Sequence, residues 1–344
     1  MDLSGKKLAE LLKIYDKLGI NKQIDNEKFY LYSIITHSTA IEGSTITEIE
    51  NKLLFDENIS DNNKSITEQL MNLDLKSAYE FGYNFAEKHE DYSEKALKKM
   101  ASIVMARTGS EYQTALGNFS SSNGDFRLLN VTAGFGGRSY LNYSKIKSQI
   151  SQFCKELNSK RHSINKNSIE DIYILSFWAH YVLVNIHPWA DGNGRMSRLL
   201  MNMLQKEFSV IPMKVLKEDK AKYIKALNDS YEHENIDIFI ETMMQMHANN
   251  LRNEIYNHLE RLEHKSKRSI IIGDKSAIKI KIGDKKQAIL DFIKQKGFAK
   301  TAEISGFLKL SPSRTRDYLR ELVSEGYLTT SGANKNRMYL LSGF

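Results

Sequence analysis

Between Ser168 and Glu207 the sequence carries two apolar helical patterns held apart by a proline and two glycines. Ile172, Leu175, Phe177, Trp178, Val182, Leu183 and Ile186 give the first stretch, 168–186, the broad apolar spread of a buried helix. Pro188 disfavours the α region for the residue before it, which predicts that this helix stops at His187 and presents the imidazole at its end. A second helix is predicted from Arg195 to about Glu207, with Met196, Leu199, Leu200, Met203 and Leu204 on its apolar face. Gly192 and Gly194 lack a Cβ, so the backbone between the helices can take positive φ and bring its N–H groups close to a ligand.

The run His187-Pro188-Trp189-Ala190-Asp191-Gly192-Asn193-Gly194-Arg195-Met196-Ser197-Arg198 therefore reads as an anion site at a helix N-terminus, where free N–H groups and the positive end of the dipole favour negative charge. Arg195 and Arg198 are three residues apart and share a helix face. Two forked guanidiniums suit a polyphosphate better than a lone carboxylate. Asp191 supplies a hard oxygen ligand for Mg²⁺, which usually enters such sites through one or two carboxylates and the phosphates themselves. His187, titrating closest to neutrality, is the candidate to take a proton from an incoming hydroxyl.

Composition narrows the class. With 344 residues, 41% of them hydrophobic, the chain is long enough for two or three domains. Only three prolines among many Leu, Ile, Lys and Glu favour a mainly α protein. Cys154 is the single cysteine, which excludes an intramolecular disulfide and an all-cysteine zinc site. No apolar run approaches membrane-span length and residues 1–7 lack a signal peptide's apolar core, so the expectation is a cytoplasmic protein with no membrane partner. The net charge is +7, and residues 284–344, with eleven Lys or Arg against six Asp or Glu, hold five of those charges.

The 187–198 run resembles the signature of Fic-type nucleotidyl transferases, His-Pro-Phe-x-Asp/Glu-Gly-Asn-Gly-Arg-x-x-Arg, with Trp189 in place of the usual Phe. That resemblance implies transfer of AMP from ATP to a protein hydroxyl on Ser, Thr or Tyr, with ATP and Mg²⁺ as cofactors. It implies His187 as general base, Asp191 as Mg²⁺ ligand, Gly192, Asn193 and Gly194 as phosphate cradle, Arg195 as phosphate clamp and Arg198 as γ-phosphate ligand. Glycine at 194 matters for reaction type, because relatives with lysine there bind the nucleotide reversed and act as kinases.

Upstream, residues 1–24 read as an amphipathic helix closed by Gly19. A helix over about 26–43 follows, ended by Gly43, with Glu42 in its last turn. An acid there faces the negative end of the dipole and is locally misplaced unless a cation compensates it. Ser38-Thr39-Ala40-Ile41-Glu42-Gly43 resembles the Ser/Thr-x-x-x-Glu-Gly/Asn inhibitory motif of Fic proteins, which implies that Ser38 and Glu42 are inhibitory residues, with Glu42 pairing with Arg198 and obstructing the γ-phosphate. Capping boxes at Thr47 and Ser65 and a cap at Ser93 predict three scaffold helices. Helical periodicity lapses from 112 to 141, where 126–133 is the expected strand of a hairpin returning through 139–141. This resembles the flap on which Fic enzymes dock their target, here 126–141. Tyr223-Ile224-Lys225-Ala226-Leu227 resembles a Fic stretch lining the nucleotide pocket, which makes Tyr223 a candidate for stacking on adenine.

A long helix is predicted from 236 to 263, then a linker over 265–283. Helices over 285–296 and 301–308, a third opened by Ser311-Pro312, and a hairpin over 326–340 resemble a winged helix-turn-helix. Arg314, Thr315 and Arg316 stand where such a module puts base-contacting residues, with Lys335 and Arg337 on the wing near phosphate. The expected organisation is a mainly α Fic domain with a small β-hairpin flap over 1–264, a linker over 265–283 and a winged helix-turn-helix over 284–344. A homodimer is compatible with it. Two other readings use the same residues: a DNA-bound regulator whose core senses nucleotide, and removal of AMP, with Glu42 orienting water. His187 argues against the first, since sensing needs the arginines and the turn but no base.

Overall fold

The computed structural model describes residues 2–23, 25–133, 137–272, 284–296, 298–308, 310–324, 327–331 and 337–341. The chain forms two compact units, Met1–Ser266 and Lys267–Phe344. In the first, α1 (Asp2–Lys17), α2 (Asn26–Ile41), α3 (Glu48–Asp56), α4 (Ile66–Glu87) and α5 (Glu94–Val104) precede a short hairpin, β1 (Glu111–Thr114) and β2 (Gly117–Ser120). Then come α6 (Ile146–Ser163), α7 (Ile169–Ile186), α8 (Asn193–Glu207), α9 (Lys220–Glu232) and α10 (Asp237–Ile272). The last helix runs beyond Glu263 into the expected linker, whose remainder, 273–283, lies outside the described residues.

Helix α8 is the axis of this unit, buried at every residue from Asn193 to Gln205 except Gly194. One apolar cluster packs its Met196, Leu199, Leu200, Met203 and Leu204 against α4, α5, α6 and α7. A second packs Met201 with Tyr173 and Phe177 of α7 and with residues of α1, α9 and α10. The buried amides of Asn202 and Gln205 are both satisfied within the core. Asn202 accepts from the Tyr79 hydroxyl at 2.7 Å and donates to the Met213 carbonyl at 2.9 Å, while Gln205 donates to Ser176 Oγ at 2.9 Å.

Helix α2 ends as its sequence requires. Gly43 takes φ 108, its N–H reaches the Ala40 carbonyl at 3.1 Å, and the Ser44 N–H reaches Thr39 at 3.1 Å. That pair of bonds is a Schellman closure, which needs the conformation a glycine adopts without strain. Glu42 is therefore the C-cap residue, one position beyond the last turn where the sequence put it. A buried amide fixes this end in space: Asn72 of α4 accepts from Thr39 Oγ1 and from Asn51 Nδ2 of α3, both at 2.8 Å, and donates to Ser44 Oγ at 3.3 Å. Thr47 forms its capping box, whereas Glu68 turns from the Ser65 backbone toward Thr45.

The expected strand over 126–133 is not formed. Residues 126–130 are irregular, and only a Thr132–Ser139 bridge, flanked by Ala133 N–H to Arg138 and Tyr140 N–H to Val131, makes a hairpin tip; 134–136 lie outside the described residues. The regular hairpin is β1–β2, with Glu111 opposite Ser120.

The second unit contains α11 (Asp284–Lys296), β3 (Ala299–Lys300), α12 (Thr301–Leu308), α13 (Pro312–Ser324), β4 (Leu328–Ser331) and β5 (Met338–Leu341). Its sheet order is β3-β5-β4, antiparallel throughout, over a core of Ile289, Ile293, Ile304, Leu319, Leu322 and Tyr339. Strand β3, too short to show a period, is absent from the sequence reading of this unit, as β1 and β2 are from that of the first. Among the described residues no helix is long and apolar enough to cross a membrane.

Asn72→Ala should strip partners from Thr39 and Asn51, both buried. Thr39 keeps the Ile35 and Thr36 carbonyls and Asn51 keeps Thr36 Oγ1, so the bonds lost predict about 1–3 kcal/mol in urea unfolding, and a loss below about 0.5 kcal/mol would contradict the network's role.

Candidate active site

His187 is the last residue attached to α7 and has left-handed φ 52 and ψ 58, a conformation costing a non-glycine residue about 1–2 kcal/mol. Three bonds hold it there. Its N–H donates to Leu183 at 3.1 Å, its carbonyl accepts from Arg127 Nε at 2.8 Å, and its Nδ1 lies 3.2 Å from the Val184 carbonyl. A carbonyl can only accept, so Nδ1 carries the proton and Nε2 keeps its lone pair. Burial pushes the imidazole down to about 4; the Arg127 and Arg138 guanidiniums act in the same direction, and the Val184 carbonyl and Glu42 oppose them. The ring is therefore neutral at physiological pH.

The turn that follows is stapled from within. Asn193 donates from Nδ2 to the Trp189 carbonyl at 2.8 Å and accepts from the Trp189 N–H at 3.1 Å. Its side chain thus shapes the turn, with one amide proton engaged by the Trp189 carbonyl and one left over. Trp189 is buried and anchors the turn through Nε1 to the Gly124 carbonyl at 3.1 Å. Gly192 is left-handed at φ 81, and no side chain caps α8. Asp191 is exposed, with one carboxylate oxygen accepting from the Gly192 N–H at 2.7 Å.

Both arginines are buried. Arg195 donates to the Val104 carbonyl at 3.2 Å and toward Met105 Sδ, while its Nε has no hydrogen-bond partner. Arg198 is fully engaged: Nε donates to Ser38 Oγ at 2.8 Å, and one terminal nitrogen donates to the Ser38 carbonyl at 3.0 Å and to Glu42 Oε1 at 2.6 Å. Gly194 makes room for that carboxylate, since a Cβ there would stand 2.5 Å from Glu42 Oε1. Burial pushes the Glu42 carboxyl up, but Arg198, with Arg195 and Lys220 behind it, outweighs burial and holds it below its ordinary range.

Tyr223 does not offer a ring to adenine. It is 1% exposed, and its hydroxyl meets His180 Nε2 at 2.8 Å and the Arg198 guanidinium, so it supports the arginine from behind. Arg127, Arg138 and Tyr140 were not singled out by the sequence. Arg127 is fully buried and, besides His187, donates to the Leu129 and Leu141 carbonyls, tying the segment below the hairpin to the turn. A lone arginine in an otherwise uncharged run was the available signal.

In the second unit Arg314 and Arg316 are exposed on α13 and Arg337 is exposed on β5's approach. Thr315 is fully buried, with its hydroxyl bonded to the Ser311 carbonyl and to Ser305 Oγ at 3.1 Å each, so it is withdrawn from the set of nucleic-acid contacts. Lys335 lies outside the described residues.

Residues 91–205 match the Fic/DOC family model, and residues 283–329 match the winged helix-turn-helix DNA-binding model. The chain thus has a Fic-type helical fold followed by a C-terminal winged helix-turn-helix fold. It is 27% identical over 216 residues to the protein adenylyltransferase Fic of Drosophila melanogaster, covering 62% of this chain and 39% of that protein. The Drosophila grimshawi protein of the same name is 29% identical over 221 residues, covering 63% and 41% respectively. The chain therefore spans about two fifths of the length of these relatives. Among solved structures, Fic-1 of C. elegans (residues 134–508) shares the fold at a TM-score of 0.59 and 20% identity, over 75% of this chain and 74% of that one. A Fic family protein of Desulfovibrio desulfuricans aligns at a TM-score of 0.53 and 17% identity over 98% and 96% of the two chains.

Glu42→Gln should destabilise the fold at pH 7 by about 1–2 kcal/mol, the value of a charge-assisted bond discounted for the carboxylate's exposed side. Because the folded carboxyl titrates below its ordinary 4.5, this contribution is complete above that value and is lost as pH falls through the lowered one. Urea midpoints of parent and variant should therefore converge on acidification; a constant gap would refute the ion pair.

Proposed function

We propose that the protein is an adenylyltransferase that moves AMP from ATP to a hydroxyl side chain, Ser, Thr or Tyr, of a protein target or of itself, and that Glu42 holds it inactive. The observation that carries this reading is the approach of three groups: a neutral His187 with a free Nε2, an uncapped helix end carrying Arg195 and Arg198, and a carboxylate on Arg198. The target hydroxyl attacks the α-phosphorus, the bond to the β-phosphate oxygen breaks, pyrophosphate leaves, and His187 Nε2 receives the hydroxyl proton. The α8 N–H groups, Arg195 with its unsatisfied Nε and Arg198 bind the phosphates. The segment 126–141 is the proposed dock for the target.

Mg²⁺ fits one position. Asp191 is exposed with one carboxylate oxygen to spare, and among the described residues no cluster of three or more His, Cys, Asp or Glu could hold a metal alone. The ion would arrive with the nucleotide, held by Asp191 and phosphate oxygens, and would neutralise phosphate charge.

His187→Ala should slow AMP transfer roughly 10²–10⁴-fold while leaving ATP binding nearly intact. Glu42→Gly should raise self-labelling roughly 10–100-fold, the equivalent of a charge-assisted bond of about 1.5–3 kcal/mol, and adding Arg198→Ala should abolish the gain. Label from α-labelled ATP reads all of these. The reading falls if Glu42→Gly gains nothing at saturating ATP, or if the gain survives in the double variant.

For the second unit we propose DNA binding through Arg314 and Arg316, with Arg337 near phosphate, supported by their exposure and by the unit's positive charge. Fluorescence anisotropy with duplex DNA should show affinity falling steeply between 50 and 200 mM salt, at roughly one unit of log–log slope per phosphate contact. No salt-sensitive binding to any duplex would remove this assignment.

A further inference from the structure

We propose that Tyr140 is the positioning residue for the base: pinned through Arg138, its ring clamps the His187 imidazole so that Nε2 faces the attacking hydroxyl. This rests on the reading of His187 as general base.

The hydrogen bond from Nδ1 to the Val184 carbonyl fixes one point of the imidazole and leaves the ring free to rock about it. Tyr140 removes that freedom. Its ring lies face to face with the imidazole, centroids 3.8 Å apart and planes within 18°. The hairpin delivers it there by strand alternation: Ser139 pairs with Thr132 and is exposed, while Arg138 and Tyr140, two residues apart, share the other face. Arg138 then locks that face down. Its guanidinium lies 5.2 Å from the Tyr140 ring centroid and 3.6 Å from that of Tyr231 in α9, and donates to Asn185 Oδ1 near the end of α7. Tyr231, Arg138, Tyr140 and His187 form one chain of contacts that ends on the imidazole. The Tyr140 ring also covers one imidazole face against water, which contributes to the burial that keeps the imidazole neutral.

The charged and polar groups facing His187 come from every neighbouring element. They are Glu42 beyond α2, the Val184 carbonyl of α7, Arg127 below the hairpin, and Arg138 with Tyr140 on it. Of these, only Tyr140 adds a ring face, so an aromatic residue should substitute for it and a small one should not.

The test uses the full chain carrying Glu42→Gly, with α-labelled ATP as substrate and a titration of His187 by NMR. Tyr140→Ala should lower kcat roughly 10–100-fold, in line with the cost of a misplaced reacting group, with the ATP KM within about twofold. Tyr140→Phe should restore the rate. In the spectrum, the His187 titration should move up from about 4 toward the ordinary 6.5 in the alanine variant and stay low in the phenylalanine variant. An unchanged kcat in Tyr140→Ala overturns the proposal; so does a failure of Tyr140→Phe to restore it, or an unmoved titration. His187→Ala is the separate control: if it transfers AMP at the parent rate, the base assignment fails whatever Tyr140 does.

Discussion

A guanidinium as deeply buried as Arg198 must be answered where it lies, because taking a charge out of water costs several kcal/mol unless a partner and hydrogen bonds replace the solvent. The first turn of α8 makes the demand greater, since the helix dipole there is already positive. Ser38 answers with a hydroxyl and a carbonyl, Tyr223 with a hydroxyl, and Glu42 with the charge. Three of these four acceptors belong to α2 and its C-cap. The position of α2 is therefore dictated by an arginine more than 150 residues away in sequence.

The three buried arginines around the turn differ in how they are satisfied, and the difference sorts their roles. Arg127 spends its nitrogens on main-chain carbonyls of His187, Leu129 and Leu141, fixed acceptors that no ligand competes for. It is a brace, and it supports the left-handed His187. Arg195 is half satisfied, with a carbonyl, a thioether sulfur and a free Nε. Arg198 is satisfied by Ser38, by Tyr223 and by Glu42, the half-exposed member of the set. Fixed cations frame the turn, and exchangeable ones line its anion face.

What the sequence discloses follows from how local the physics is. The 187–198 run is legible because the proline, the glycines and the helix start act within a few residues of the groups they place. Gly43 closes α2 by the same local rule, which puts Glu42 at its end within one position. Contacts across the fold are not written in a period. Asn193 reads as a phosphate ligand, while nothing in its spacing shows that Trp189 engages both ends of its amide, and Thr315 shares a helix start with two exposed arginines yet faces the core. The expected strand over 126–133 fails for a related reason: Arg127 draws the Leu129 carbonyl to itself and ties this segment to Leu141, which shapes it as a loop. Tyr140 in turn is one of 17 tyrosines, and only hairpin register puts it on His187.

The ion pair is asymmetric, and the asymmetry fixes which partner moves. Arg198 is 3% exposed on a helix buried nearly all round, whereas the Glu42 side chain is 37% exposed at the free end of α2. Moving α8 would open two apolar clusters at once; rotating Glu42 into water disturbs a cap and returns a carboxylate to solvent that hydrates it well. A departing Glu42 alone would leave the guanidinium uncompensated, at a cost of about 1–2 kcal/mol, the loss expected of Glu42→Gln. A phosphate arriving as the carboxylate leaves avoids that cost, because one anion replaces another on the same nitrogen. On the proposed function, inhibition and phosphate binding are then two occupancies of one buried charge, and the inhibited state is what keeps Arg198 buried when no nucleotide is there to meet it.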